Sequence, residues 1–432
     1  MEIPAIAKIL IVFAGVLAAS RLRLPLGLGL IGGGLALDLW AGRTVTAAAA
    51  DLGRALLQPE LWLLLVNISL IVELGYFMAR DENGKTIIRA ARNWGGRHGQ
   101  SFSLVLIPAA IGMVPMPGGA LFSAPLVGRT VGEAPLSLAW RGAVNYWFRH
   151  ILEYWWPLYP VVIVTLSIFD LAPHAFIAVQ LPFTLVSIAA GWFFLLRPQL
   201  AHLAVAVRDE DDEPGPLWPV LAPIILVVVA TLLLPGAVSR LWPGLSGTMA
   251  KLLAMFVGLV AALLLIPPPA RPGTDAPRLF GNLFSRKTST MLVTLMGVMV
   301  FQAMLEGSEL LPAAGREMAA SRIPAAVIIG LLPFVAGLVT GIAIGFAGTA
   351  FPLVAGLAAT AATPMPLLAA LVLAFTMGYA GMMLSPVHLC FVLTRDFFSA
   401  PLLRMYLYLL PCVATVVAFG LLLHLLLRVL LG

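Results

Sequence analysis

Charge is scarce in this chain. Only 11% of its 432 residues are Asp, Glu, Lys or Arg, against about 25% in a soluble domain. No polar stretch is long enough to fold as a water-soluble domain. Cysteine is scarcer still: Cys390 and Cys412 alone, both in apolar surroundings, which implies no disulfide framework. No P-loop is present, so ATP is not an evident energy source, and there is no HExxH, no CxxC and no metal-ligand spacing. Ser123 has no base at a motif spacing, so no enzyme is expected. The net charge of +6 sits largely in short loops, where it sets topology; it is not a nucleic-acid signal. What the chain has is apolar length: 61% hydrophobic residues and a mean hydropathy of +1.00. It reads as an all-α polytopic membrane protein whose first partner is the lipid bilayer.

A helical span needs about 20 apolar residues. Residues 4–20 fit a first span rather than a cleaved leader, since an acid and a lysine precede the apolar run and a small-residue cleavage site is lacking. Residues 24–40 fit a second span, 44–57 an interfacial helix, and 61–79 a third span enclosing Asn67 and Glu73. A basic segment follows at 80–100. Residues 101–131 are two short apolar pieces around Pro115, Met116, Pro117, Gly118 and Gly119. Neither piece can cross a bilayer alone, so the pair reads as a re-entrant hairpin. Residues 135–170 carry Arg149, His150 and Glu153 just before Pro157. Buried charge costs roughly 2.5–3.5 kcal/mol per group in a bilayer, and proline breaks a helix. A broken helix beside polar groups is the raw material of a transport site. Residues 173–196 are another span, and 198–216 a linker with an acidic run at 209–213.

The second half repeats the plan. Residues 217–234, 249–266 and 290–305 are spans, with a proline-rich basic loop at 267–287. Residues 324–363 form a second candidate hairpin turning at 345–349, and 365–398 a second broken helix interrupted at 384–388. Residues 402–430 close the chain. The wording matches too: GALFSAPLV from Gly119 resembles GTAFPLV from Gly348, and Pro157 and Pro386 follow at similar distances. These matches, in the same order, argue for two repeats, 1–197 and 217–432. Five crossings per half would invert the second against the first. Most basic loops then fall on one side, which places both termini outside the cytoplasm.

The candidate site residues follow from this plan. The amide groups around Pro117, Gly118, Gly119 and Ser123, at the start of a half-helix, favour an anion; close helix packing is the bland alternative. Gly348 and Thr349 are their counterparts in the second half. Arg149 suits a carboxylate, because guanidinium grips it in two places, or is neutralised by Glu153 four residues on. Glu153 and His150 are candidate proton carriers. Asn145, Ser385 and His388 supply polar groups at the helix breaks. Na⁺ ligation is a further option near Gly119, Asn145, Thr349 and Ser385. Trp147, Trp155 and Trp156 read as interfacial or packing aromatics.

Three stretches carry a family resemblance: PMPGGALFSAPLVG from Pro115, NYWFRHILEYWWPLYP from Asn145 and GYAGMMLSPVHLCFVLTRDFF from Gly378. They resemble an uncharacterised family of bacterial and archaeal integral membrane proteins, domain of unknown function 401, across nearly the whole chain. That family is grouped with the ion transporter superfamily of gluconate permeases, citrate transporters and divalent-anion/sodium symporters. The grouping implies inverted repeats, re-entrant hairpins, elevator-type alternating access, a homodimer, a prokaryotic plasma membrane and Na⁺ or H⁺ coupling. The chain departs from the dicarboxylate symporters in lacking their paired Ser-Asn-Thr signatures at the tips. The resulting expectation is a secondary active transporter of a small organic anion, a carboxylate, with no cofactor beyond a coupling ion. A cation/proton antiporter leaning on Glu153 and Glu73, a membrane-embedded enzyme and a channel are the alternatives.

Overall fold

Among the described residues all regular structure is helical. In lipid a backbone polar group must be satisfied inside the protein, and a helix does this within one segment. The structure, a computed structural model, describes residues 3–78, 86, 99–113, 119–203, 218–266, 285–322, 324–359 and 365–431. Most of the basic segment at 80–100, the tip residues Pro117 and Gly118, the acidic linker and most of the loop at 267–287 lie outside the described residues.

Helix starts follow local sequence. Ser137, Ser246 and Ser285 each accept a hydrogen bond from the amide three residues on, at Trp140, Met249 and Thr288, over 3.1–3.2 Å. Pro160 and Pro173 open their helices, where a missing N–H costs nothing.

The eighteen α-helices among the described residues sort into two sets by what packs on what. The first set takes the early helices of each half: α1 (Ala5–Arg21), α2 (Leu26–Trp40), α3 (Val45–Leu57), α4 (Pro59–Met78), then α10 (Trp218–Leu241), α11 (Gly247–Leu264), α12 (Arg286–Gly307) and α13 (Leu310–Ala320). Here α2 packs on α1 and α12, α4 on α11, α11 on α10, and α3 on α12. The second set takes the late helices: α5 (Gly99–Gly112), α6 (Ala120–Val131), α7 (Leu138–Arg149), α8 (Pro160–Ile168), α9 (Pro173–Gly191), then α14 (Ala325–Thr340), α15 (Ala343–Ala359), α16 (Leu367–Met383), α17 (Leu389–Phe397) and α18 (Leu402–Leu431). Here α5 pairs with α6 and α7, α14 with α15 and α16, α9 and α16 with α18, and α17 with α6. Fewer pairings join the two sets, chiefly α12 and α13 on α15 and α1 on α14.

Five stretches among the described residues are long and apolar enough to cross a bilayer: Pro173–His202, Leu221–Leu241, Gly247–Leu264, Thr288–Gly307 and Leu402–Leu431. The bent pair of α3 and α4, with a 49° change of direction, makes a sixth if counted as one span. Helices stand at the first two expected spans, but α1 has 17 residues and α2 only 15. At 1.5 Å per residue they reach about 25 and 22 Å, short of a hydrocarbon core of about 30 Å.

Two boundaries differ from the sequence expectation. The first broken helix stops at Arg149, eight residues before Pro157, and resumes at Pro160. Arg149 and Glu153 therefore do not share one helix face; Glu153 lies in the turns between α7 and α8. The second hairpin turns at Gly341, not at 345–349, because Gly341 takes a left-handed φ of +65° and α15 restarts at Ala343. Gly348 and Thr349 thus lie inside a helix.

The crossing of α2 and α12 depends on absent side chains. A Cβ at Gly27 would stand 2.8 Å from Thr294 Cα, and one at Gly297 2.6 Å from Gly27 Cα. Gly32, on the same helix, has open space at its Cβ position. Gly27→Ala is therefore expected to destabilise the protein by about 1–3 kcal/mol through overpacking. Gly32→Ala should be neutral or slightly stabilising. Thermal unfolding of the two variants in detergent checks this; equal midpoints would contradict the crossing.

Candidate functional site

Two helix breaks face each other inside the second helix set, and the chemistry gathers there. A helix that ends inside the protein leaves its last carbonyls without intrahelical donors. At the first break those carbonyls receive side-chain donors from other elements. His150 O accepts from the Tyr379 hydroxyl at 2.7 Å, and Ile151 O from Thr184 Oγ1 at 2.5 Å. At the second break Met383 O accepts from the Tyr146 hydroxyl at 3.1 Å, and Leu384 O from Tyr406 at 3.0 Å.

The two tyrosine bonds form a reciprocal pair. Tyr146 lies four residues before His150, and Tyr379 four residues before Met383. Each broken helix thus donates from its penultimate turn to the freed carbonyl of the other.

The hairpins dock on the same breaks. Gln100 Nε2, near the start of α5, donates to Thr130 O at the end of α6 at 2.6 Å, so the two helices fold back on each other. At the other end of α5, Gly112 O accepts from the Tyr159 hydroxyl and Met113 O from Trp156 Nε1. In the second hairpin, Ser385 Oγ donates to Leu338 O at 2.7 Å. A Cβ on Gly341 would meet His388 N at 2.9 Å and Ser385 Oγ at 3.0 Å, so no larger residue fits this turn.

Between the breaks sits a buried polar cluster. Arg149 is 2% exposed, His150 0%, and Glu153, His388 and Cys390 6% each. Glu153 Oε1 lies 3.8 Å from Arg149 Nη1 and 3.9 Å from His150 Nε2. The His150 and His388 rings meet edge to face at 4.9 Å, and the Tyr146 ring touches both. A guanidinium, a carboxylate and two imidazoles thus share one low-dielectric space. That arrangement can hold an anion or pass a proton.

Of the residues singled out from the sequence, Arg149, His150, Glu153, Ser385 and His388 meet at this junction. Asn145 stands one turn earlier on α7. Its Nδ2 donates to Thr394 Oγ1 at 3.1 Å and to Ala120 O at 3.4 Å, tying α7 to α17 and to the start of α6. Its Oδ1 is buried with no hydrogen-bond partner among the described residues. Gly119 is the buried residue just before α6, and Ser123 turns its hydroxyl back to Ala120 O at 3.3 Å. Gly348 packs on Val298 of α12 and Thr349 donates to Gly345 O at 2.7 Å, so their contacts are with α12 and their own helix. Trp147, Trp155 and Trp156 each bond through the indole N–H to Ser187 O, Thr184 Oγ1 and Met113 O, as packing aromatics do.

Sequence reasoning missed Tyr146, Tyr379, Cys390 and Thr394. The one available signal was position: each lies within a helical turn or two of a break. Cys390, read from the sequence only as implying no disulfide framework, has His150 and His388 beside it in space, with one ligand atom from each of the three inside 4.8 Å.

No curated protein matches the chain. A family model described as "Protein of unknown function (DUF401)" matches residues 54–427.

Removing one tyrosine hydroxyl leaves a buried carbonyl unsatisfied, which costs about 1–3 kcal/mol. Tyr146→Phe is expected to lower stability by that amount, since Met383 O loses its donor, whereas His150 O keeps the Glu153 amide after Tyr379→Phe. Thermal unfolding against the parent measures it, and an unchanged midpoint would mean that the hydroxyl does not carry the junction.

Proposed function

The chain belongs to that DUF401 family, whose description names no function, and on this premise we propose that it is a secondary active transporter of a small organic anion of the carboxylate class. One observation carries the reading: two interrupted helices meet inside an apolar helical protein around buried Arg149, with Glu153, His150 and His388 beside it. Interrupted helices are tolerated in a membrane where they are buried in protein or line a cavity. They commonly build substrate sites near the midplane.

Arg149 is the anion ligand in this proposal, and Glu153 neutralises it when the site is empty. A substrate carboxylate competes with Glu153 for the guanidinium, which frees Glu153 to take up a proton. H⁺ coupling through Glu153 or His150 follows directly. Na⁺ coupling would draw on Asn145 Oδ1, the buried oxygen without a hydrogen-bond partner among the described residues.

Elevator-type movement is part of the proposal, supported by the partition into two helix sets with fewer pairings between them. Inverted repeats are likewise proposed, supported by the reciprocal tyrosine bonds, which a two-fold relation between the halves would produce. The proposal also takes the first helix set as a homodimeric scaffold in a prokaryotic plasma membrane. Glu73, which a cation/proton antiporter would need, lies on α4 in that first set, away from the junction.

Uptake of labelled carboxylates into proteoliposomes tests the reading. Arg149→Lys keeps a positive charge for Glu153 but loses the planar fork. It is expected to fold like the parent and to lose about 2–3 kcal/mol of substrate binding, roughly a 30–150-fold drop in uptake at low substrate. Arg149→Ala should abolish uptake. Parent-level uptake in both folded variants would remove Arg149 from the site.

A further inference from the structure

The imidazoles at the junction are oriented in a way that carbonyl packing alone does not explain. His150 Nδ1 donates to Tyr146 O at 2.6 Å, and His388 Nδ1 faces Met382 O at 3.4 Å. Both rings thus spend Nδ1 on a backbone carbonyl. The proton then sits on Nδ1 and the Nε2 lone pair is left over, the usual state of a metal-binding histidine. His150 Nε2 is buried and has no nitrogen or oxygen partner at hydrogen-bond distance among the described residues. What faces the imidazole instead is the Cys390 thiol, within hydrogen-bonding reach, and Glu153 Oε1 at 3.9 Å.

We propose that His150, His388 and Cys390 form a binding site for a metal ion, Zn²⁺ by the chemistry of its donors, at the meeting point of the two helix breaks. Their ligand atoms lie within 4.8 Å of one another. Bonds of about 2.1 Å to nitrogen and 2.3 Å to sulfur place tetrahedral neighbours about 3.5 Å apart. The widest pair needs to close by about 1 Å. Imidazole with thiolate favours Zn²⁺ over Mg²⁺ or Ca²⁺, which require oxygen.

Glu153 Oε1, 3.9 Å from His150 Nε2, is placed to be a fourth donor. With Cys390 as thiolate and Glu153 as carboxylate, the two anions neutralise the dication and leave the positive charge of Arg149. Tyr146 packs on both imidazoles, with centroids at 4.7 and 5.4 Å, and holds their planes. Exposed Val387 and Leu389 alternate with buried His388 and Cys390, so the ligands lie just beneath the surface of the second break. Because one ligand comes from the first break and two from the second, a bound ion would pin the two broken helices together. This inference does not depend on the transport reading; a bound ion would take His150 and Glu153 out of the proton-carrying role proposed above and leave Na⁺ as the coupling ion.

The test uses the purified full chain in detergent, stripped with chelator and reloaded with Zn²⁺ or with Co²⁺ as a spectroscopic probe. The parent is expected to bind one Zn²⁺ per chain, to unfold at higher temperature with the ion, and to show a thiolate-to-Co²⁺ charge-transfer band. Cys390→Ser should abolish the band, and His150→Ala and His388→Ala should weaken affinity on the order of 100-fold. Cys412→Ser should change nothing, because Cys412 lies elsewhere, against Ala190 O. Substoichiometric Zn²⁺ in the parent, a Co²⁺ spectrum without the thiolate band, or a band that survives Cys390→Ser would each overturn the site. If a variant fails to fold, the parent's own stoichiometry and Co²⁺ spectrum decide. None of these measurements reads uptake, so failure here leaves the transport proposal standing.

Discussion

A carbonyl freed inside a low-dielectric interior must find a donor, and this single requirement organises the second helix set. Each broken helix ends within the protein and leaves carbonyls that the helix itself no longer satisfies; the turn that follows supplies some donors, such as the Glu153 amide to His150 O. The Tyr146 and Tyr379 hydroxyls meet that need reciprocally, each reaching from one break to the other. Thr184 and Tyr406 serve the neighbouring carbonyls from α9 and α18. The result is a junction in which the two breaks are hydrogen-bonded to each other. The hairpins are fixed to it by the same kind of bond, through Gly112 O, Met113 O and Leu338 O.

That constraint also explains where the charge sits. Breaking α7 at Arg149 turns the chain so that Arg149, His150 and Glu153 project into the space between the breaks instead of along a helix face. An unpaired buried guanidinium would be strongly unfavourable. Glu153 compensates it over 3.8 Å, and the Tyr159 hydroxyl stands beside both groups.

Much of the architecture was legible in the sequence, and the reasons are physical. Hydropathy and scarcity of charge specify a helical membrane protein, since so much apolar surface favours lipid over water and a helix satisfies its backbone there. Short apolar pieces around Gly and Pro mark segments that cannot run straight through. The cost of burying Arg149, His150 and Glu153 in one stretch marks that stretch as chemical. Break positions were less legible. Pro157 pointed to a break, but the helix stops eight residues sooner, where Tyr379 and Thr184 offer donors that no local pattern reveals. Likewise the GxxG spacing at 345–348 looked like a turn, whereas the left-handed Gly341 takes that role.

The sequence by itself determined the class of solvent the chain lives in, the helical composition and the stretches where proline, glycine and charge gather. These depend on local quantities: apolar area, proline and glycine geometry, and the solvation of single charged groups. Only the tertiary structure decided that the stretches around positions 150 and 388 share one space and that Cys390 joins them. Those facts rest on contacts between residues more than two hundred positions apart, and nothing in a linear spacing encodes which freed carbonyl a distant hydroxyl will reach.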